Sequence, residues 1–328
     1  MNRPLTIASV QFEHRDGDKP HNLAKIESLA RQAAARGAEF VVFHECCIPG
    51  YTFLQHLDRD ALLALAEPVP DGPSLRRVDA LARELGAVLM VGLMERDAEG
   101  RVYNAYVALD GSGRALLHHR KLHVFINPHQ TPGDHFTVGE VRGTKVGVLI
   151  CYDNNLPENV RATTLLGAEL IVMPHVTGAT PSPMVGRGPI DPALWENRRA
   201  DPARLRHEIL GPKGRAWVMR WLPARAWENG VYVAFANAVG LDGGSIRPGG
   251  AVLVDPDGEI MTETWEPEDA LVLATLTPEP LARASGRRYL RARRPDLYTL
   301  LTAPPDEPPD TQPGWARAFS PPASPRSP

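Results

Sequence analysis

Three apolar stretches of this chain end on, or run into, a side chain with chemistry to offer. GVLIC closes on Cys151, VVFHE closes on Glu45, and the apolar Leu116-Leu117 leads through two histidines and an arginine to Lys121. A cysteine becomes a nucleophile where a cation, a helix N-terminus or a general base favours its thiolate. Tyr152, Asp153, Asn154 and Asn155 follow Cys151 at once, and Pro157 suits the first turn of a helix. The free N–H groups of such a helix start would lie close to the sulfur and could hold an oxyanion. Taken singly, each residue also has a plain reading. Cys151 is then an inert buried thiol, Glu45 a solvated strand end and Lys121 a surface charge. As a semi-buried carboxylate, Glu45 is instead placed for general-base work. Taken together, the three supply a base, a cation and a nucleophile.

Composition narrows the setting. The chain has 328 residues, 43% hydrophobic and 23% charged, as in an ordinary globular enzyme. A formal net charge of −3 gives no reason to expect a nucleic acid or another polyanion as partner. The basic run Arg287, Arg288, Arg291, Arg293 and Arg294 reads as a solvated or interface face. Cys46, Cys47 and Cys151 form neither a disulfide framework nor a zinc-ligand spacing. The N-terminal residues lack the apolar core of a signal peptide, and no apolar run is long enough to cross a bilayer. The expectation is a cytoplasmic protein with no membrane partner.

The elements that must position these residues follow from periodicity. LTIASVQF reads as a strand, and Leu23, Ile26, Leu29, Ala30 and Ala33 fall at helical spacing before Gly37. EFVVFHE is a short buried strand delivering Glu45, and SLRRVDALARELG a helix capped by Ser74. AVLMVGLMER, VYNAYVALD and RALLHHRKLH are strands, the last two joined through a DGSG turn. KVGVLIC, AELIVMP, VYVAFANAVG and ALVLATL are further strands. PENVRATTLLG is a helix, and GGAVLVDPDGEIMTET a hairpin about its DPDG turn. Strands alternating with helices, together with frequent hairpins, predict mixed sheets with helices on their faces. Residues 177 to about 223 are rich in Pro, Gly, Arg and Trp. They read as a long loop serving as lid, interface or substrate-binding insertion. From 303 to 328 the chain is a Pro-rich, extended tail.

The ordered set of motifs resembles the nitrilase or carbon–nitrogen hydrolase superfamily over about residues 4–302. The likeness rests on HECCIPGY around Glu45, HRKLH around Lys121, TPGD at 131–134 and GVLICYDNNLPENVR around Cys151. It continues through PARAWENGVYVAFANAVG at 223–240, SIRPGGAVLVDPDGE at 245–259 and RRPDLY at 293–298. The resemblance implies an α/β fold, a four-layer α-β-β-α sandwich over residues 1–302, which pairs into homodimers or larger assemblies through a helical face. It implies that Cys151 attacks a carbonyl or nitrile carbon to give a thioester or thioimidate. Glu45 would take the thiol proton, deliver it to leaving ammonia and later activate water. Lys121 would stabilise the oxyanion with the backbone N–H of Tyr152, and no metal or organic cofactor is required.

One departure stands out. Many members carry a second glutamate beyond the lysine, whereas Lys121 is followed by LHVFINPHQ, without a carboxylate. His129, eight residues on, lies near the place of that glutamate in aliphatic amidases. It is either a neutral hydrogen-bonding partner or a plain loop histidine. His123 matches a histidine of many relatives, or packs its loop. Tyr51, His175 and Trp195 are candidates to line the pocket. Cys46 and Cys47 read as small buried side chains, Asp134 as a turn residue, and Glu228 and Asn229 as structural support.

Cys151-Tyr152-Asp153 favours hydrolysis of an amide or N-carbamoyl compound with release of ammonia, since true nitrilases tend to follow the cysteine with Trp-Glu. Action on a nitrile is the alternative. A catalytically weak scaffold is another, supported only by the missing glutamate. Acyl transfer to an amine is a third, but the membrane-embedded transferases of the superfamily carry spanning helices not seen here. Arg187, Arg198, Arg199, Arg204 and Arg206 offer either a carboxylate-binding group or a solvated surface.

Overall fold

A computed structural model of the chain describes residues 1–181 and 185–303. The first half runs β1 (Leu5–Gln11), α1 (Lys19–Ala35), β2 (Phe40–Val42), α2 (Arg59–Leu65), α3 (Pro73–Leu85), β3 (Val88–Arg96), β4 (Val102–Leu109) and β5 (Ala115–Arg120). Next come β6 (Thr137–Val141), β7 (Thr144–Val148), α4 (Pro157–Leu165) and β8 (Leu170–His175). Four helices follow: α5 (Pro192–Glu196), α6 (Pro202–Leu210), α7 (Arg215–Val218) and α8 (Leu222–Asn229). The chain continues with β9 (Tyr232–Asn237), β10 (Val239–Asp242), β11 (Ser245–Pro248), β12 (Ala251–Val254), β13 (Ile260–Thr264) and β14 (Ala270–Leu276), then α9 (Pro278–Arg283) and α10 (Ser285–Arg291).

Strands β14-β1-β2-β3-β4-β5 form one sheet and β13-β12-β9-β8-β7-β6 a second, while β10 and β11 pair as a hairpin. The apolar runs are buried on both faces, which is why they read as continuous rather than alternating. Ile7, Phe40, Val42 and Met90 of the first sheet meet Val146, Val148, Leu170 and Val172 of the second. On its other face the first sheet buries Val10, Val41 and Leu89 against Ile26 and Leu29 of α1 and Val78 of α3. The second sheet does the same with Ile171 and Met173 against Val160 of α4 and Leu222 and Ala226 of α8. Helix, sheet, sheet and helix are the four expected layers.

Strand direction brings the chemistry to one edge. β2 and β3 run parallel, and β5 regains their direction through two antiparallel steps. β7, β8 and β9 run parallel in the other sheet. The chain therefore leaves β2 toward Glu45, β5 toward Lys121, β7 toward Cys151 and β8 toward Val176. The carboxyl ends of strands are where such sheets usually build sites.

Three local expectations need correction. The strand before Glu45 ends at Val42: the Phe43 N–H still donates to Met90 O at 3.0 Å, and the residues after it leave the ladder for a tight turn. Ser74 does not cap α3. Gly72 holds that position, and both the N–H and the hydroxyl of Ser74 donate to the Glu67 carboxylate. The 177–223 segment is not one long loop, since α5, α6 and α7 occupy much of its described part. Trp195, Leu205, Ile209 and Val218 anchor them in the second sheet's outer core. The Pro-rich tail, apart from Ala303, lies outside the described residues.

Candidate active site

Glu45 is fully buried, and its place depends on β3. A Cβ on Gly92 would lie 2.4 Å from the Cys46 nitrogen, so only glycine lets the turn carrying Glu45 lie flush on that strand. Cys46 turns the chain with φ 44°. Three donors hold the carboxylate. Lys121 Nζ and Asn104 Nδ2 each reach Oε1 at 2.7 Å, and the Val176 N–H reaches Oε2 at 3.1 Å. A carboxylate has about four acceptor sites, so about one remains.

Lys121 is equally buried. Its N–H donates to Asn104 O at 2.8 Å, and its own carbonyl accepts from Gly133 N at 2.8 Å. Gly133 is required there, since a Cβ would meet Arg120 O at 2.3 Å. The TPGD turn is thus packed directly on the strand that presents the lysine. Nζ also donates to Tyr51 Oη at 3.3 Å and lies 4.9 Å from the Phe125 ring centre. Burial works against the ammonium, but the Glu45 carboxylate, with smaller help from other groups, holds it well above the ordinary lysine value.

Cys151 opens a one-turn helix, Cys151–Asn155, with φ 51°. A non-glycine residue in that region costs about 1–2 kcal/mol, so the surroundings must impose it. Asn154 Nδ2 donates to Leu149 O at 2.8 Å and Cys151 O at 3.3 Å, while Asp153 Oδ2 accepts from Ile150 N at 3.2 Å. Sγ stands 4.0 Å from Val176 O. Burial first, and then the Glu45 carboxylate, push the thiol up to about 12, against a partial opposing pull from Lys121. At neutral pH the resting sulfur therefore carries its proton.

The lesser candidates separate cleanly. Tyr51 is buried beside Lys121. Tyr152 is exposed, its ring edge-on to His123 and to Phe125 at 6.0 and 5.7 Å between centres. His123 is half-buried and bonded to Asp153. His175 is buried behind the turn, with Nε2 3.2 Å from Asn154 Nδ2 and its ring 5.5 Å from that of Trp221. Burial lowers its pKa to about 3, so the ring stays neutral. His129 is exposed. Asn127 anchors its loop instead, donating to Leu54 O and Leu57 O and accepting from His129 N, which leaves the His129 ring outside. Trp195 donates to Glu13 at 3.0 Å on another part of the molecule.

Arg198 stacks on Trp195, Arg206 pairs with Glu266, and Arg187 stacks on Trp217. Cys46 and Cys47 are buried thiols. Asp134 is exposed beside His135, and Asn229 donates to Arg225 O within α8.

Sequence reasoning missed Asn104 and gave Asp153 no role. Asn104 accepts from the Cys46 thiol at 3.5 Å while donating to Glu45. A lone asparagine inside the apolar VYNAYVAL was the available signal. Among the described residues, His14, Asp16 and Asp242 bring possible metal ligands together. Asp242 is already taken by Arg247, Thr52 and His14, so the cluster reads as a structural network. No helix among the described residues is long and apolar enough to cross a membrane.

Residues 6–284 match the family model described as carbon-nitrogen hydrolase. The chain is 31% identical over 305 residues to a protein named hydrolase in pqqF 5′region from Pseudomonas protegens, covering 92% of this chain and 93% of the relative. It is 28% identical over 316 residues to the N-carbamoylputrescine amidase of Solanum lycopersicum, covering 92% and 95%. A solved structure of a mutant amidase from Nesterenkonia sp. AN1, in complex with butyramide, superposes with a TM-score of 0.67 at 25% identity, covering 90% of this chain and 97% of that one.

Proposed function

Because the chain belongs to the carbon–nitrogen hydrolase family, we propose that it hydrolyses a small amide or N-carbamoyl compound through a thioester on Cys151, releasing ammonia. The observation that carries this reading is the buried contact of Glu45 with Lys121, on the strand edge that also presents Cys151. The similarity to amidases, one of them an N-carbamoylputrescine amidase, supports the substrate class.

The thiol is protonated at rest, so attack on the carbonyl carbon is coupled to transfer of its proton to Glu45. The Lys121 ammonium and the Tyr152 N–H, in the first turn of its short helix, face the developing oxyanion. Collapse of the tetrahedral intermediate breaks the C–N bond, with Glu45 returning the proton to the departing ammonia. Glu45 then takes a proton from water, whose oxygen displaces the sulfur. An amide gives a carboxylic acid, and an N-carbamoyl amine gives a carbamic acid that loses carbon dioxide.

Self-association fits the exposed apolar residues Leu165 and Leu166 at the end of α4 and Trp227 of α8. Three free thiols fit a reducing compartment such as the cytoplasm. Ammonia release from a panel of aliphatic amides, N-carbamoyl amines, N-carbamoyl amino acids and nitriles tests the reading. Turnover is expected within the first three classes, and turnover of nitriles alone would overturn it.

A further inference from the structure

Asp153 lies two residues beyond Cys151, inside the same one-turn helix, and is fully buried. Its carboxylate accepts four hydrogen bonds. Oδ1 takes His123 N and His123 Nδ1, each at 2.9 Å. Oδ2 takes Leu122 N and Ile150 N, each at 3.2 Å, with His119 Nε2 3.7 Å away. One side chain thus joins the residue before Cys151 to the two residues after Lys121, across the gap between the sheets.

We propose that Asp153 is a positioning residue for the reaction proposed above, holding the Cys151 turn and the Lys121 loop in register. The inference rests on that reading of the site.

The chemistry of the bond set requires an ionised carboxylate. Four donors converge on two oxygens, and only a group with no proton of its own and about four acceptor sites can satisfy them. An asparagine would turn its NH₂ toward N–H groups and leave buried donors without a partner. Burial opposes the charge, but His119 and His123 outweigh it and hold the carboxyl well below the usual carboxylate range.

Two consequences bear on the reacting atoms. The Ile150–Asp153 bond closes the turn in which Cys151 keeps its left-handed φ of 51°, so loosening it lets the residue relax and carries Sγ away. The Leu122 and His123 bonds fix the chain just beyond Lys121, whose own following loop, LHVFINPHQ, contains no carboxylate. The Asp153 charge also helps to keep Lys121 an ammonium. A displacement of about 1 Å between such groups can cost about a hundredfold in rate.

The test compares wild type with Asp153→Asn and His123→Ala. His123 is partly exposed and can be truncated while the backbone bonds to Asp153 remain. Iodoacetamide labelling of Cys151, followed by intact mass and peptide mapping, counts competent sites and gives an alkylation rate. Ammonia release gives kcat and KM per competent site, and thermal melting tracks stability separately.

Asp153→Asn is expected to lower kcat by about a hundredfold and slow the alkylation of Cys151, with KM nearly unchanged. His123→Ala, losing one of the four bonds, is expected to lower kcat by about tenfold. A kcat per competent site and an alkylation rate equal to wild type in either variant, even with a lowered Tm, would assign Asp153 a structural role only and overturn the proposal. If Asp153→Asn does not fold, His123→Ala decides. If wild type releases no ammonia from any substrate, the proposed function fails, whereas the alkylation rates still judge the positioning of Cys151.

Discussion

The Lys121 ammonium donates to Glu45 Oε1 at 2.7 Å with both side chains out of solvent. In such a pair the two charges are each other's principal compensation, and removal of either strands the other. The contact therefore ties stability to the arrangement on which the chemistry depends.

Lys121→Met is expected to destabilise the fold by about 3–5 kcal/mol, because Glu45 is left buried without its cation. The double variant Glu45→Gln, Lys121→Met should recover part of that loss while remaining inactive. Urea melts of the three proteins measure the coupling. Equal losses in the single and double variants would show that the charges are not paired in solution.

The pH dependence follows from the protons the site retains. Folding raises the Cys151 thiol from the ordinary thiol range to about 12 and raises Lys121 above its ordinary value. Both groups therefore stay protonated through pH 9, and kcat/KM should show no inflection near the pH where a free thiol ionises. A rising limb with an apparent pKa between about 8 and 9 would mean that a preformed thiolate is the reactant. The stability linkage has the same origin. An unfolded chain ionises its thiol above about pH 8.5 and the folded one does not, so this group's contribution favours unfolding as pH rises from there toward 12.

Gly92→Ala tests how closely the Glu45 turn lies on β3. The added Cβ would fall 2.4 Å from the Cys46 nitrogen, with backbone on the far side and no flexible side chain to yield. The expected cost is about 1–3 kcal/mol of stability, with a larger fractional loss of kcat from displacement of the carboxylate. Retention of full activity would show that the turn has room to shift.

Arg247 binds Asp242 at 2.7 Å, Thr52 Oγ1 at 2.7 Å and Gly178 O at 3.0 Å, joining the segment beside Tyr51 to the chain just beyond Val176. Arg247→Met should cost about 3–5 kcal/mol and raise KM. Burial opposes the Asp242 charge, but Arg247 and His14 hold its carboxyl far below the usual range. Its contribution is therefore present above about pH 4 and lost as pH falls below that. Acid unfolding of Asp242→Asn should start from lower stability and depend less steeply on pH in this window. Identical acid profiles would remove Asp242 from the account.

The strands were legible because nearly every one is a short apolar run bounded by Gly, Pro, Asp or a charge, while their stacking as two sheets was carried by the family resemblance; strand ends carrying Glu, Lys and Cys stood out against those runs. The details that depend on contacts distant in sequence were not legible. Ser74 has the type and place of a cap, but Glu67 satisfies it from another segment. The 177–223 helices are short, and their apolar residues are too few to show a period. The steps Asp191-Pro192 and Asp201-Pro202, each an N-cap aspartate followed by the first residue of a helix, were the overlooked signal. His129 had the right spacing from Lys121 but not the right direction, since Asn127 fixes its loop. Asp153 was visible as a polar neighbour of the cysteine, yet its role lies in bonds to Leu122 and His123, about thirty positions back.

Every step proposed for this site passes through a covalent acyl group on Cys151, and that group can be trapped. Wild-type protein is mixed with a turned-over amide, quenched in acid within the first turnover, and read by intact mass and peptide mapping. An acyl adduct is expected on the peptide containing Cys151, removed by hydroxylamine, with one ammonia released per adduct formed. Neither adduct nor ammonia is expected from Cys151→Ala. Ammonia release that survives Cys151→Ala, or an adduct on any other residue, would contradict this route.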